Sequence, residues 1–184
     1  MAEGVVTIRA GREKPIRQGH PWVFSGAIAR AQDAVPGAVV TVVADDDSFL
    51  ARGYWNPRSQ IQVRILTWQD ESIDDGWWRK LLARAVVARF PKPQFDTGRR
   101  IVNAESDFIP GLIVDRYADF LVLQALTLYI DQQKSQIARV LVDIFAEAGM
   151  PVRGIYERSD VDVRGKEGLK AAAGLLWGDE PPSQ

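Results

Sequence analysis

Residues 12–26, Arg12-Glu13-Lys14-Pro15-Ile16-Arg17-Gln18-Gly19-His20-Pro21-Trp22-Val23-Phe24-Ser25-Gly26, interleave cations with aromatic rings. Guanidinium and ammonium groups can hold a phosphate backbone while flat rings stack on unpaired bases, so this mixture points to nucleic-acid binding. The same rings are also what a small core needs. For Trp22 and Phe24 taken individually the core reading weighs more, because large aromatics dominate small cores. For Arg12, Lys14 and Arg17 the phosphate-facing and the merely solvated readings stand level. Residues 1–30 carry five basic side chains (Arg9, Arg12, Lys14, Arg17, Arg30) against Glu3 and Glu13, while the whole chain has a net charge of −1. A polyanion would have to be drawn by this local patch, not by a global field. On charge alone, an ordinary fluctuation over a solvated surface is the heavier reading.

Two further segments are dense in polar groups. Asn103-Ala104-Glu105-Ser106-Asp107-Phe108-Ile109-Pro110-Gly111 is a polar loop closed by a Pro-Gly turn, and Asp115-Arg116 ends the apolar run that follows. Tyr156-Glu157-Arg158-Ser159-Asp160-Val161-Asp162-Val163-Arg164 follows a short strand and runs on to Lys166-Glu167-Gly168. Loops at strand ends are where sites are built. Capped turns held by Arg–carboxylate pairs explain both segments slightly better on physical grounds alone.

Covalent, metal and cofactor chemistry find little footing. Cysteine is absent, which excludes disulfides, thiolate metal sites and a cysteine nucleophile within these residues. A single histidine gives zinc little to bind. A Ser–His–Asp triad would have to use His20, which stands beside Pro21 without a supporting motif. No two glycines are separated by one residue, so there is no GxGxxG loop, and no GxxxxGK[ST] loop occurs either. Carboxylate pairs can be drawn anywhere among 24 acidic residues, and no reaction constellation surrounds Glu105 and Asp107 to make a hydrolase of them. No catalytic, cofactor-binding or metal-binding residue is expected.

The elements that must position these groups fall into two regions. From Val5 to Trp68 the pattern is mostly strand: Val5–Arg9, Ala38–Val43, Phe49–Tyr54 after the Asp45-Asp46-Asp47-Ser48 turn, and the alternating Ile61–Ile65, together predicting a small β-barrel. Pro21–Phe24 reads as the start of a short helix or a covering segment. Beyond Asp70–Asp75 the spacing of Trp78, Leu81, Leu82, Ala85, Val86 and Phe90 predicts a helix capped by Ser72 or Asp74 and ended by Pro91 and Pro93. Strands at Gly111–Arg116 and Phe120–Leu126 flank a tight Tyr117-Ala118-Asp119 turn. A second helix starts at Asp131, buries Ile137, Val140, Leu141, Ile144, Phe145 and Ala148, and stops at Gly149 and Pro151. A strand over Gly154–Glu157 comes next, and Gly178–Gln184 reads as linker. The fold class is therefore α+β, with a β-barrel over 1–70, an α+β domain over 71–177 and a linker over 178–184.

Four segments, HPWVFSGAI at 20–28, ARGYWNPRSQIQVRIL at 51–66, NAESDFIPGLIVDRYADFLVLQ at 103–124 and IYERSDVDVRGKEGL at 155–169, resemble in this order the N-terminal half of the bacterial large-subunit (23S) ribosomal RNA cytosine-C5 methyltransferases of the RlmI type. The resemblance implies a PUA-like RNA-binding domain first and a central α+β domain next. It also implies a Rossmann-like catalytic domain, with its S-adenosylmethionine and its cysteine, that is absent from these 184 residues, so that the chain alone is inactive. Arg12, Lys14, Arg17, Arg52, Arg58 and Arg64 would then contact ribosomal RNA, with His20 beside them and Trp22 or Tyr54 stacking. Glu105, Ser106, Asp107, Pro110, Gly111, Asp115, Arg116, Arg158, Ser159, Asp160, Arg164 and Glu167 would face the catalytic domain or the RNA entering it, and both readings stay open. A module that only braces the catalytic domain without touching RNA is the alternative. Phe108 stands where this family usually has glycine, and since phenylalanine resists a positive φ, a differently shaped loop is expected.

Composition agrees with a globular protein: 46% hydrophobic and 26% charged residues, no apolar run long enough to span a bilayer, and no secretion-signal core at the N-terminus. A cytoplasmic location is expected; oligomeric state is open.

Overall fold

β-Branched residues alternating along short segments build the first half of the molecule. The computed structural model describes residues 3–90 and 98–182. Pro91 and Pro93, predicted as helix stops, and Ser183 and Gln184 of the predicted linker lie outside the described residues. The chain divides into two compact units, Met1–Ser72 with Lys166–Gly168, and Ile73–Gly165 with Leu169–Gln184.

The first unit is a six-stranded sheet curled into a half-barrel. Its strands are β1 (Gly4–Ile8), β2 (Trp22–Phe24), β3 (Ile28–Gln32), β4 (Val39–Val43), β5 (Phe49–Trp55) and β6 (Ile61–Thr67), ordered β2-β6-β5-β4-β1-β3. β1 runs parallel to β4, and the other pairings are antiparallel. Val6, Ile8, Val40, Val42, Val63 and Ile65 turn inward as the strand period requires, each contributing about 1.5–3 kcal/mol on burial. β5 and β6 approach so closely at Gly53 that a Cβ there would lie 2.4 Å from the Arg64 carbonyl oxygen, which is why glycine occupies this strand interior. Pro21–Phe24 does not start a helix. It enters β2, whose Val23 pairs with Val63 of β6, because burying Val23 between two exposed rings suits a two-residue period and not a helical one. β3 was not anticipated: its sequence, IARAQ, buries only Ile28, so it lacks the apolar alternation that marks a strand.

A single helical turn, α1 (Lys14–Arg17), precedes β2. Pro15 fits its first turn, where the missing N–H has no partner to lose, and Gly19 leaves it at φ 85°. Buried Ile16 pins the turn to the sheet, and its carbonyl accepts the indole N–H of Trp68 at 2.8 Å.

The second unit packs α2 (Asp75–Arg89) and α3 (Leu128–Glu147) with a five-stranded sheet ordered β11-β10-β9-β8-β7. Its strands are β7 (Arg99–Asn103), β8 (Leu112–Tyr117), β9 (Phe120–Ala125), β10 (Gly154–Ser159) and β11 (Ala172–Gly178). Of the two candidate caps for α2, Asp74 serves, accepting the Trp77 N–H at 2.9 Å. α3 crosses between β9 and β10, which are parallel. It begins at Leu128, not Asp131, because Tyr129 and Ile130 are already buried and extend the apolar face one turn earlier. Trp78 of α2 stacks on Tyr129 of α3, centroids 6.1 Å apart. Gly178 belongs to β11, paired with Gly154, and not to a linker. β11 escaped prediction because its apolar residues AAGLLW lack alternation and charge.

Candidate nucleic-acid interface

β2 is an edge strand, and its alternation puts Val23 into the core and leaves Trp22 and Phe24 on the outside, 36% and 48% exposed. The core reading of these two rings is thereby overturned. His20, Trp22 and Phe24 form a chain of edge-to-face rings, with centroids 5.8 Å apart for the first pair and 6.3 Å for the second. The Trp22 backbone N–H donates to His20 Nδ1 at 3.2 Å, which fixes the imidazole against the strand. Together with Arg12, Pro15, Ile16 and Ala27 these rings line a depression of about 430 Å³. Arg12, Lys14 and Arg17 are all exposed on or just before α1. The acidic turn bounds the patch: Arg17 donates to Ser48 Oγ at 3.4 Å, and hydrogen bonds from Ser48, with Arg17 adding its charge, hold the Asp46 carboxyl below the usual carboxylate range. The surface combines exposed cations with exposed rings around an apolar floor. It can hold phosphate oxygens and stack planar groups, and it contains no nucleophile–base pair.

The other predicted RNA contacts divide. Arg58 is exposed. Tyr54 is 1% exposed and belongs to the interior, so it cannot stack on a base. Arg52 is clamped by Glu3 at 2.5 Å and Asp70 at 2.7 Å, and hydrogen bonding to Asp70 first of all raises its pKa. Arg64 is buried and paired with Glu167 at 2.8 Å. Glu167, itself buried, also accepts from Asn56 Nδ2 at 2.8 Å, so it tethers residues 166–168 within the first unit.

The polar segments of the second unit turn inward as well. Asp107 receives a two-pronged bond from Arg89 at 2.6 and 2.7 Å and the Asn103 N–H at 2.6 Å. Phe108 adopts φ 62°, the left-handed geometry that a glycine would adopt freely. The resistance of phenylalanine to a positive φ, on which the expectation of a differently shaped loop rested, is overcome here. The exposed ring lies 4.9 Å beneath the Arg84 guanidinium, a contact that offsets part of the backbone strain. Glu105 and Ser106 share this short 3₁₀ turn, and Pro110 and Gly111 behind it are buried. Gly111, at φ 81°, leaves no room for a Cβ, which would meet Thr127 at 2.5 Å. Asp115 takes two bonds from Arg100 at 2.9 and 3.0 Å.

Arg116 is 1% exposed, its guanidinium 5.0 Å from the Phe145 ring and 5.6 Å from that of Phe90. Arg164 is 3% exposed: it bonds Asp131 Oδ1 at 3.0 Å, the Lys170 carbonyl at 2.8 Å and the Ala125 carbonyl. Ser159, fully buried, accepts the Ala125 N–H at 2.9 Å. Beside them Lys134 pairs with the buried Glu157 at 2.9 Å. Arg116, Ser159 and Arg164 are thus interior polar groups. In the same segment Arg158 and Asp160 reach solvent, paired with each other at 3.2 Å, as do Val161, Asp162 and Val163. Sequence reasoning missed Phe24 as a surface ring, Asn56 as a buried partner, Lys134 as a half-buried partner of the buried Glu157, and Tyr117 and Tyr156 on the face of the sheet away from the helices. The i, i+2 spacing of Trp22 and Phe24 around Val23 was the available signal for the first.

Among the described residues no cluster of His, Asp or Glu side chains could hold a metal ion, and no helix is long and apolar enough to cross a membrane.

Residues 6–68 match the family described as PUA-like domain, so the first unit carries a PUA-like fold. Over 96% of its length the chain is homologous to proteins named "Ribosomal RNA large subunit methyltransferase I". It is 42% identical over 180 residues to the one from Shewanella amazonensis and 39% identical over 181 residues to the one from Aliivibrio fischeri. It spans 44% of the length of each. Its fold is shared with a proposed SAM-dependent methyltransferase from Streptococcus mutans, at 20% identity and a TM-score of 0.73 over 97% of this chain and 44% of that one. A second such structure, SMU.776, was solved in complex with SAH; the TM-score is 0.72 at 19% identity, over 97% of this chain and 43% of that one. The resemblance read from the four ordered motifs and the relatives found by comparison agree.

Proposed function

We propose that this chain is the RNA-positioning part of an S-adenosylmethionine-dependent ribosomal RNA (cytosine-C5) methyltransferase. In this reading residues 1–70 read RNA and residues 71–177 form a central domain that links the reader to the catalytic part. The exposed His20–Trp22–Phe24 ring chain beside the cations of α1, in a PUA-like unit, is the observation that carries it. Cations hold the phosphates and set affinity, while the rings take unpaired bases, so the surface suits single-stranded or looped RNA better than a duplex.

These residues do not suit S-adenosylmethionine: the sequence has no cysteine to attack a cytosine and no glycine-rich cofactor loop. Methyl transfer is therefore assigned outside residues 1–184, and this chain alone is inactive. A ribosomal RNA target places the work in the cytoplasm.

Fluorescence anisotropy with ribosomal RNA fragments tests the reading. Binding should weaken steeply with salt, and replacing Arg12, Lys14 and Arg17 with alanine should remove most of it. Undiminished binding by that variant would overturn the assignment of this surface.

A further inference from the structure

The sheet of the second unit has a face that nothing among that unit's described residues covers. Leu112, Val114, Leu121 and Leu123 are fully buried, and their alternation partners on β8, β9 and β10 point the other way. There Tyr117, Val122 and Tyr156, with Pro181 and Pro182, line a depression of about 700 Å³, and a second one of about 500 Å³ adjoins it past Gln124 and Val161. Tyr117 is 52% exposed, and Leu175, paired with Tyr156 across the β10–β11 ladder, is 41% exposed. An apolar, aromatic centre of this kind, rimmed by charge, marks a surface built to be covered.

The rim says by what. Arg100 pairs with Asp115, Arg153 with Asp119 and Asp179, and Arg158 with Asp160, at 2.9 to 3.6 Å. Each arginine is neutralised within the unit, and the aspartates outnumber them. A phosphate backbone would be repelled as much as attracted, whereas a folded polypeptide with an apolar patch and a polar rim fits. Pro181 and Pro182 lie on this face, so polypeptide continuing beyond them would start beside it. The homologous methyltransferases are more than twice as long as the part this chain matches.

We infer that the uncovered sheet face around Tyr117, Val122 and Tyr156 is the docking surface for the methyltransferase domain, an assignment that rests on the proposed function. Docking there would bury the tyrosines.

The chain has no cysteine, so single thiols report on single positions. Val122→Cys and Tyr156→Cys probe the face, and Ser135→Cys, on the exposed side of α3, is the control. Maleimide labelling is compared between the 184-residue chain and a fusion in which the part of the Shewanella amazonensis protein beyond the match follows Gln184. Labelling at 122 and 156 should slow about tenfold or more in the fusion, with 135 unchanged. Equal rates in a fusion that still methylates ribosomal RNA would overturn the docking surface and leave the proposed function standing. Slowed labelling in a fusion that binds no RNA would support docking and count against RNA reading. The 184-residue chain supplies an independent test: its labelling at 122 and 156 should not change as it is concentrated or as ribosomal RNA is added. Slowing on concentration would assign the face to a second copy, and slowing with RNA to nucleic acid; either result overturns the proposal.

Discussion

Two arginine-rich segments of similar composition have opposite fates. Around α1 and β2, Arg12, Lys14 and Arg17 stand in solvent beside the half-exposed rings of Trp22 and Phe24. Around β10 and the turn after it, Arg164 is 3% exposed and bonded to Asp131, Ala125 and Lys170, while Glu157 and Ser159 are buried with it. What separates them is the supply of acceptors. Residues 12–26 contain one carboxylate, that of Glu13, whereas residues 156–167 contain four and come back against Asp131 and strand-end carbonyls. A cation with acceptors on several elements becomes part of the scaffold, and a cation without them stays available to a ligand.

The largest expected effect probes the scaffold side. Arg164→Ala leaves Asp131 and the Ala125 carbonyl short of a partner and should cost about 3–5 kcal/mol in urea unfolding, while Arg12→Ala should change stability by no more than about 0.5 kcal/mol. Equal costs for the two would erase the distinction.

The packed side also carries a pH signature. Burial pushes the Tyr129 hydroxyl up to about 12, against about 10 in the unfolded chain. Because the folded value is the higher one, this contribution is complete below pH 10 and is lost as pH rises toward 12, about 2–3 kcal/mol in all. Stability measured across this alkaline range should fall, and Tyr129→Phe should flatten the fall; an unchanged profile in that variant would show that other groups cause it.

On the ligand side, Trp22→Ala should weaken RNA binding by about 1–3 kcal/mol through lost stacking, with a much smaller change in the unfolding midpoint because the ring lies outside the core. Phe24→Ala should act in the same direction. A loss of stability that matched the loss of binding would return these rings to the core. The smallest effect concerns salt: alanine at Arg12, Lys14 and Arg17 together should lower the slope of log affinity against log salt by about 2–3, while the Arg52→Ala and Arg64→Ala slopes should match that of the unaltered chain.

Much of this was legible along the chain. The two main helices, the strands around Val40, Ala51, Val63, Val114 and Leu123, and a cap at Ser72 or Asp74 follow from apolar period and capping chemistry, which are local. Phe108 shows the limit of a local rule: left-handed backbone is costly for phenylalanine, yet the turn imposes it and the Arg84 guanidinium covers the ring. β3 and β11 escaped because one is nearly all exposed and the other has no polar alternation. Of the candidate RNA contacts, Arg12, Lys14, Arg17, Trp22 and Arg58 sit at the surface, while Tyr54 and Arg64 do not, since exposure depends on which strand lies alongside.

The sequence by itself determined that these residues carry no thiol and no phosphate loop, that β-rich and mixed regions succeed one another, and that four motifs stand in the order found in ribosomal RNA methyltransferases. Residue identity and spacing suffice for that. Only the tertiary structure decided that Glu167 returns to Asn56 and Arg64, that Arg116, Ser159 and Arg164 face inward, and that Trp22, Phe24, Tyr117 and Tyr156 face out. Each of these depends on neighbours distant along the chain, and the cost of burying an unpaired charge or exposing a ring is settled only when those neighbours meet.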